Sequence, residues 1–330
     1  METDIPVERG AAMNIDLKLQ LYTKMVQIRK FEEAARENVF SAEIPGAVHL
    51  YIGQEAIAAG ACAAIGEDDY ITSTHRGHGH AIAKGGRTDR CMAELYGKKA
   101  GYCNGKGGSL HIAVPELNML GANGIVGAGI PIATGAAFSA KYLNNGKIAV
   151  AFFGDGAANQ GTFHEAVNIA SAFKLPCIYI CENNLFGVSC RQETVRNVKN
   201  ISERAAAYGI PGTTIDGNDV EAVYETVKKA SEYARKGNGP MLIECMTYRW
   251  RGHFEGEPEF SVYRSEEELR EWMEKCPIKR YRTVLIEEGV DAKTLDDIES
   301  GVADEISQAL DFARQSEYPD AADAMNDIYA

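Results

Sequence analysis

"KIAVAFFGDGAANQG", residues 147–161, decides the fold. "KIAVAFF" (147–153) is an apolar run of one buried strand, and a glycine-flanked aspartate, Asp155, ends it. "GTFHEAVNIASAFK" (161–174) has its apolar residues at helical spacing, and "CIYIC" (177–181) is a second strand run. Strand, helix, strand over this length is a right-handed βαβ unit with parallel neighbouring strands. The loops that follow the two strands, Gly154-Asp155-Gly156 and Glu182-Asn183-Asn184, then leave the sheet side by side, on strand axes ~4.8 Å apart. Open α/β sheets bind ligands at this edge. An aspartate before a helix reads, alone, as a helix cap. Paired with Asn184, Asp155 offers two oxygens to one hard cation such as Mg²⁺, which usually shares its sphere with phosphate oxygens. Gly154 and Gly156 let the backbone approach such a group closely.

The pattern continues outward. "GTTID" leads into "GNDVEAVYETVKKASEYARKGNG" (217–239), a helical stretch that opens with Asp219 as its N-cap and ends in glycines, and "MLIECMTY" (241–248) is another strand. Residues 16–38, 54–65 and 88–97 predict helices, and residues 266–316 predict acidic amphipathic ones. There is no repeat, low-complexity tract or Pro/Gly/Ser-rich linker. The expectation is one α/β domain over residues 1–330, a parallel sheet with helices on both faces and helical N- and C-terminal extensions.

The formal net charge of −13 over 330 residues disfavours nucleic acid and anionic membranes as partners. No apolar run reaches the ~18–20 residues that span a bilayer. The eight cysteines contain no C-x-x-C pair and read as reduced and core-filling. The acidic start, "METDIPVERGAAMNIDLK", has no signal or transit pattern, so a cytoplasmic protein is expected. "HRGHGH" carries His75, His78 and His80, whose spacing also admits a transition-metal reading. "GYCNGKGG" (101–108) fails the Walker pattern, with three residues where four are required and Gly after the lysine, and reads as a glycine turn at the cofactor edge.

Seven ordered motifs carry a family resemblance: "HLYIGQEA" (49–56), "THRGHG" (74–79), "GKGGSLHI" (105–112), "NGIVGAGIP" (123–131), "GDGAANQG" (154–161), "CENNLFG" (181–187) and "TYRWRGH" (247–253). With them the chain resembles the α subunits of the thiamine diphosphate-dependent 2-oxo acid and acetoin dehydrogenases. The resemblance implies the thiamin-diphosphate-binding fold and an α2β2 heterotetramer. It implies that Asp155 and Asn184 hold Mg²⁺ together with the carbonyl of Phe186, where relatives often have Tyr. It puts Arg76 on the diphosphate, with His75 where relatives have Tyr, and Gly154, Gly156 and Ala157 in the cofactor loop. Gly124 and Val126 are implied at the aminopyrimidine, His49 on the substrate side, and His253 as an active-centre histidine on a mobile loop. The carboxylate that activates the cofactor belongs, in the family, to the β subunit. Glu55 in "GQEA" is the tempting substitute within this chain, but the resemblance gives it no such role.

The segment "RGHFEGEP" (251–258) has Phe254 where pyruvate-cleaving relatives often carry a phosphorylatable Ser. Together with "RGHGH", "LGANGIVG" and "ECMTYR" it is most similar to acetoin-cleaving subunits. The implied reaction is cleavage of acetoin and transfer of the acetyl unit to a lipoyl group on an acyltransferase core. A pyruvate or other 2-oxo acid dehydrogenase subunit is the alternative. An inactive, cofactor-binding assembly subunit is the non-enzyme alternative, opposed by the complete set Asp155, Asn184, Arg76 and His253.

Overall fold

A computed structural model describes residues 13–257 and 263–326. Its seven strands are β1 (Tyr70–Thr72), β2 (Ala149–Gly154), β3 (Cys177–Asn183), β4 (Phe186–Gly187), β5 (Cys190–Arg191), β6 (Gly212–Asp216) and β7 (Met241–Met246). The helices are α1 (Ile15–Phe40), α2 (Glu55–Ala63), α3 (Gly77–Ala83), α4 (Thr88–Leu95) and α5 (Gly129–Leu143). They continue with α6 (Gly161–Ala172), α7 (Val220–Arg235), α8 (Glu266–Glu274), α9 (Pro277–Glu287) and α10 (Ala292–Gln315).

Five strands make one parallel sheet in the order β1-β2-β3-β7-β6, and β4 and β5 form a separate antiparallel hairpin. The βαβ unit is as expected, with α6 crossing between β2 and β3 and Gly154 in register with Glu182. Successive residues of the inner strands face opposite ways. Val150, Phe152, Ile178, Ile180 and Ile243 belong to one core with residues of α1–α4 and α7–α10, and Ala151, Phe153, Tyr179, Cys181 and Leu242 to a second with residues of α5 and α6. Both faces are buried, which is why these strands read as unbroken apolar runs rather than alternating ones.

Asp219 caps α7 as expected, accepting the Ala222 N–H at 3.1 Å. Asp155 caps no helix. Gln160 holds the cap position of α6, and a short 3₁₀ turn, Ala157–Asn159, intervenes. None of the eight cysteines is in a disulfide; Cys190 alone among them is exposed. Among the described residues, no helix is long and apolar enough to cross a membrane.

Candidate functional site

The carboxyl ends of β2, β3 and β7 lie in register and their loops meet there. The contact between the two glycine loops is close: a Cβ built on Gly156 would lie 3.3 Å from the Cα of Gly187. Above them opens a cavity of about 230 Å³. His75, Arg76, Val126, Gly154, Asp155, Gly156, Ala157, Asn184, Phe186 and His253 all line it, as does Arg249. Gly124 is not on this wall, although its neighbours Asn123 and Ile125 are. His49 lies behind the wall, its ring edge-on to those of His75 and His253 with centroids 5.0 Å away in each case.

Asp155 is 4% exposed, and one of its oxygens, Oδ2, has no hydrogen-bond partner. Burial pushes its carboxyl up to about 6, against the pull of Arg249 and Arg196. Asn184 is buried beside it. Its Nδ2 donates to Gln54 Oε1 at 3.1 Å, which fixes the amide with Oδ1 on the side of the Phe186 N–H, 3.3 Å away. A buried carboxylate with a free oxygen, an oriented amide oxygen and a neighbouring carbonyl make a donor set suited to a hard divalent cation.

Across the cavity stand two buried guanidiniums. Arg76 Nη1 donates to the Leu50 carbonyl at 2.9 Å, and Nη2 donates to the His253 carbonyl at 2.6 Å. Arg249 donates to the carbonyls of Arg251 and Val188 and to the Tyr263 hydroxyl, each at 3.2 Å. Among the described residues neither has a carboxylate in contact. Burial, with each other's charge as a further cause for Arg76, lowers both; Arg76 falls to about 9. Buried cations without counter-ions form an anion site. The sequence reading assigned no role to Arg249, because nothing in "TYRWRGH" distinguishes a buried arginine from a surface one.

His49, His75 and His253 are neutral near pH 7. Burial and then Arg76 lower His49 to about 3, His75 to about 2 and His253 to about 4. One ring nitrogen of each of these three lies within 4.8 Å of the others, a spacing that resembles metal-ligand geometry. The adjacent Arg76 and Arg249 oppose a further cation there, so the trio suits an anion or a neutral polar group. The transition-metal reading of His75, His78 and His80 fails for a simpler reason. His78 and His80 are fully buried and face away, His78 to Glu32 (3.0 Å) and His80 to Glu182 (3.2 Å). Glu55 is also committed elsewhere, to Arg29 at 2.6 Å and to the Gly53 N–H.

The family model described as "Dehydrogenase E1 component" matches residues 23–322. The chain is 47% identical over 321 residues to the alpha subunit of the acetoin:2,6-dichlorophenolindophenol oxidoreductase of Bacillus subtilis, covering 97% of this chain and 96% of that one. It is 43% identical over 324 residues to the subunit of the same description from Cupriavidus necator, covering 97% of each. Identity to the pyruvate dehydrogenase E1 component subunit alpha of Rhizobium meliloti is 39% over 312 residues, 94% of this chain and 89% of that one.

Proposed function

The chain belongs to the dehydrogenase E1 component family, and from that premise we propose that it is the α subunit of a thiamine diphosphate-dependent dehydrogenase that cleaves acetoin. One observation carries the cofactor reading: a buried carboxylate with a free oxygen shares one cavity at the sheet edge with two buried guanidiniums that, among the described residues, touch no carboxylate. The greater identity to two acetoin subunits than to a pyruvate one supports the substrate.

When bound, thiamine diphosphate supplies the electron sink for breaking a carbon–carbon bond beside a carbonyl. The residues of this chain bind and orient it. Asp155, Asn184 and the Phe186 carbonyl would hold Mg²⁺. Arg76 and Arg249 would neutralise the diphosphate, and Gly154, Gly156 and Ala157 would let the backbone close on it. Gly124 and Val126 would flank the aminopyrimidine. Both guanidiniums face His253 Nδ1, at 3.3 and 3.5 Å, so the neutral ring keeps its proton on Nε2 and can donate from there. His75 would stand with Arg76 on the cofactor, and His49 completes the substrate side.

The activating carboxylate comes from a β subunit in this reading, in an α2β2 assembly that serves a lipoyl-bearing acyltransferase core in the cytoplasm. Exposed Ile125 and Val126 beside the cavity continue into exposed Ile132, Phe138 and Tyr142 on α5 and Ile169 and Phe173 on α6. That apolar face, continuous with the site, is where the β subunit would pack.

The test is competition between acetoin and pyruvate on the reconstituted α–β pair. The expected kcat/KM favours acetoin by at least about tenfold. A preference for pyruvate, with CO₂ release matching turnover, would make the chain a pyruvate dehydrogenase α subunit. No turnover with either substrate in the presence of β subunit and cofactor would leave the inactive assembly subunit.

A further inference from the structure

Two motifs are left unused by this chemistry, the glycine-rich stretch 101–109 and the inward histidine of "THRGHG". The glycine stretch wraps a carboxylate of its own chain. Glu94, fully buried on α4, accepts the N–H groups of Cys103 (2.7 Å) and Gly105 (3.0 Å) on Oε2 and those of Gly107 (2.7 Å) and Gly108 (3.0 Å) on Oε1. Four amides converging on one anion form a nest, and the left-handed Gly105 (φ 75°) and Gly108 (φ 56°) make it possible. The nest is already filled, so it is not a turn that holds the cofactor. It presents the next residue, Ser109, in a fixed place.

We propose that Ser109 and His78 are positioning residues for His49, acting through one buried chain of hydrogen bonds that starts at Glu32. The proposal rests on the reading of His49 as a residue of the substrate side.

Both oxygens of Glu32, on α1, lie within 3.1 Å of His78 Nδ1. With the carboxylate accepting at Nδ1, that nitrogen carries the proton, and in this neutral tautomer Nε2 is the acceptor. The Ser109 hydroxyl, 2.9 Å from Nε2, donates to it. A lone pair of the same oxygen accepts the backbone N–H of His49 at 3.2 Å. At the other end of the chain, Glu32 Oε1 accepts the backbone N–H of Tyr51 at 3.1 Å. Residues 49–51 are thus fastened at both ends by the two ends of one polar chain, all of it buried. Between them, the Leu50 carbonyl accepts from Arg76, so the same segment aims the guanidinium.

Serine, histidine and glutamate in this order also make up hydrolase triads. Here the serine lone pair is engaged by His49, and none of the three lines the cavity. The array holds a backbone and attacks nothing. Its product is the placement of the His49 ring against His75, His253 and Arg76, the basic groups that face it together with His78.

The experiment follows His49 by NMR in the full chain, with ¹³C-labelled histidines assigned through His49→Gln. In the wild type His49 should show no protonation step above pH 4.5, since its midpoint lies at about 3. Ser109→Ala, which removes one oxygen and leaves Glu32 and His78 paired, should raise that midpoint by at least about one unit as water reaches the loosened segment. Glu32→Gln, which keeps the shape, should do the same. In the reconstituted α–β pair, Ser109→Ala should lower kcat/KM about tenfold or more. An unchanged His49 titration in both variants overturns the proposal. A shifted titration with full turnover supports the positioning and removes His49 from the proposed site.

Discussion

Asp155 and its surroundings set the chemistry at the scale of single residues. Its carboxyl is raised from 3.8 to about 6 by burial, so the folded chain binds the proton more tightly than the unfolded one. The metal-free protein should therefore lose about 3 kcal/mol of stability from this group as pH rises from about 4 to about 6. A cation that binds Asp155 competes with that proton. Calorimetric titration of Mg²⁺ with thiamine diphosphate should find affinity several-fold weaker at pH 5.2 than at pH 7.2, and Asp155→Asn should weaken binding and flatten the difference. Equal wild-type affinity at both pH values would place the cation elsewhere. Asp155 and Asn184 were legible in sequence because two loops after two apolar runs can only meet at one edge. Arg249 was not, because what makes it notable, 2% exposure without a carboxylate contact among the described residues, is a property of the fold. What His78 and His80 do was hidden for the same reason, since their carboxylates come from α1 and β3, far away in sequence.

Among the elements, apolar periodicity located α1, α2, α4, α6, α7 and the C-terminal helices and the inner strands to within a few residues, but not α3 or α5, which lie in glycine-rich motifs. β1 escaped notice. It has three residues, "YIT", and its identity as a strand comes from pairing with Ala149–Ala151 rather than from its own pattern. The sheet order was equally out of reach, because β7 lies between β3 and β6 although it follows both. "GYCNGKGG" was recognised as a turn, but the carboxylate it encloses could not be inferred from its glycines. Another glycine sets an interface that composition conceals. Gly60 of α2 abuts α7, where an added Cβ would lie 2.8 Å from the Val220 carbonyl and 2.9 Å from the Val223 side chain. Gly60→Ala should thus destabilise the protein by about 1–3 kcal/mol despite alanine's better helix propensity. Urea denaturation measures it, and a stabilised variant would show that the two helices separate at little cost.

For the whole molecule, the exposed apolar face of α5 and α6 is what bears on assembly. α5 is apolar nearly all round, as helices buried on every side are. Its Phe138 is 47% exposed and in ring contact with Phe173 of α6, centroids 5.9 Å apart. Phe138→Asp should preserve the fold, read by circular dichroism, and weaken association with the β subunit at least about tenfold, read by sedimentation. Unaltered association would move the interface off this face. The strand order has a consequence in time as well as space. β3 is flanked by β2 and β7, and the loops that carry Asp155, Asn184 and His253 acquire their places only when all three strands are paired. A ribosome adding roughly 5–20 residues per second finishes Asn184 some 3–12 seconds before Met246. Throughout that interval the nascent chain carries a β3 whose first five residues are apolar, with one edge bare. Such an edge invites pairing with another chain, so the spacing that builds the site also sets how long each newborn molecule leaves that edge open.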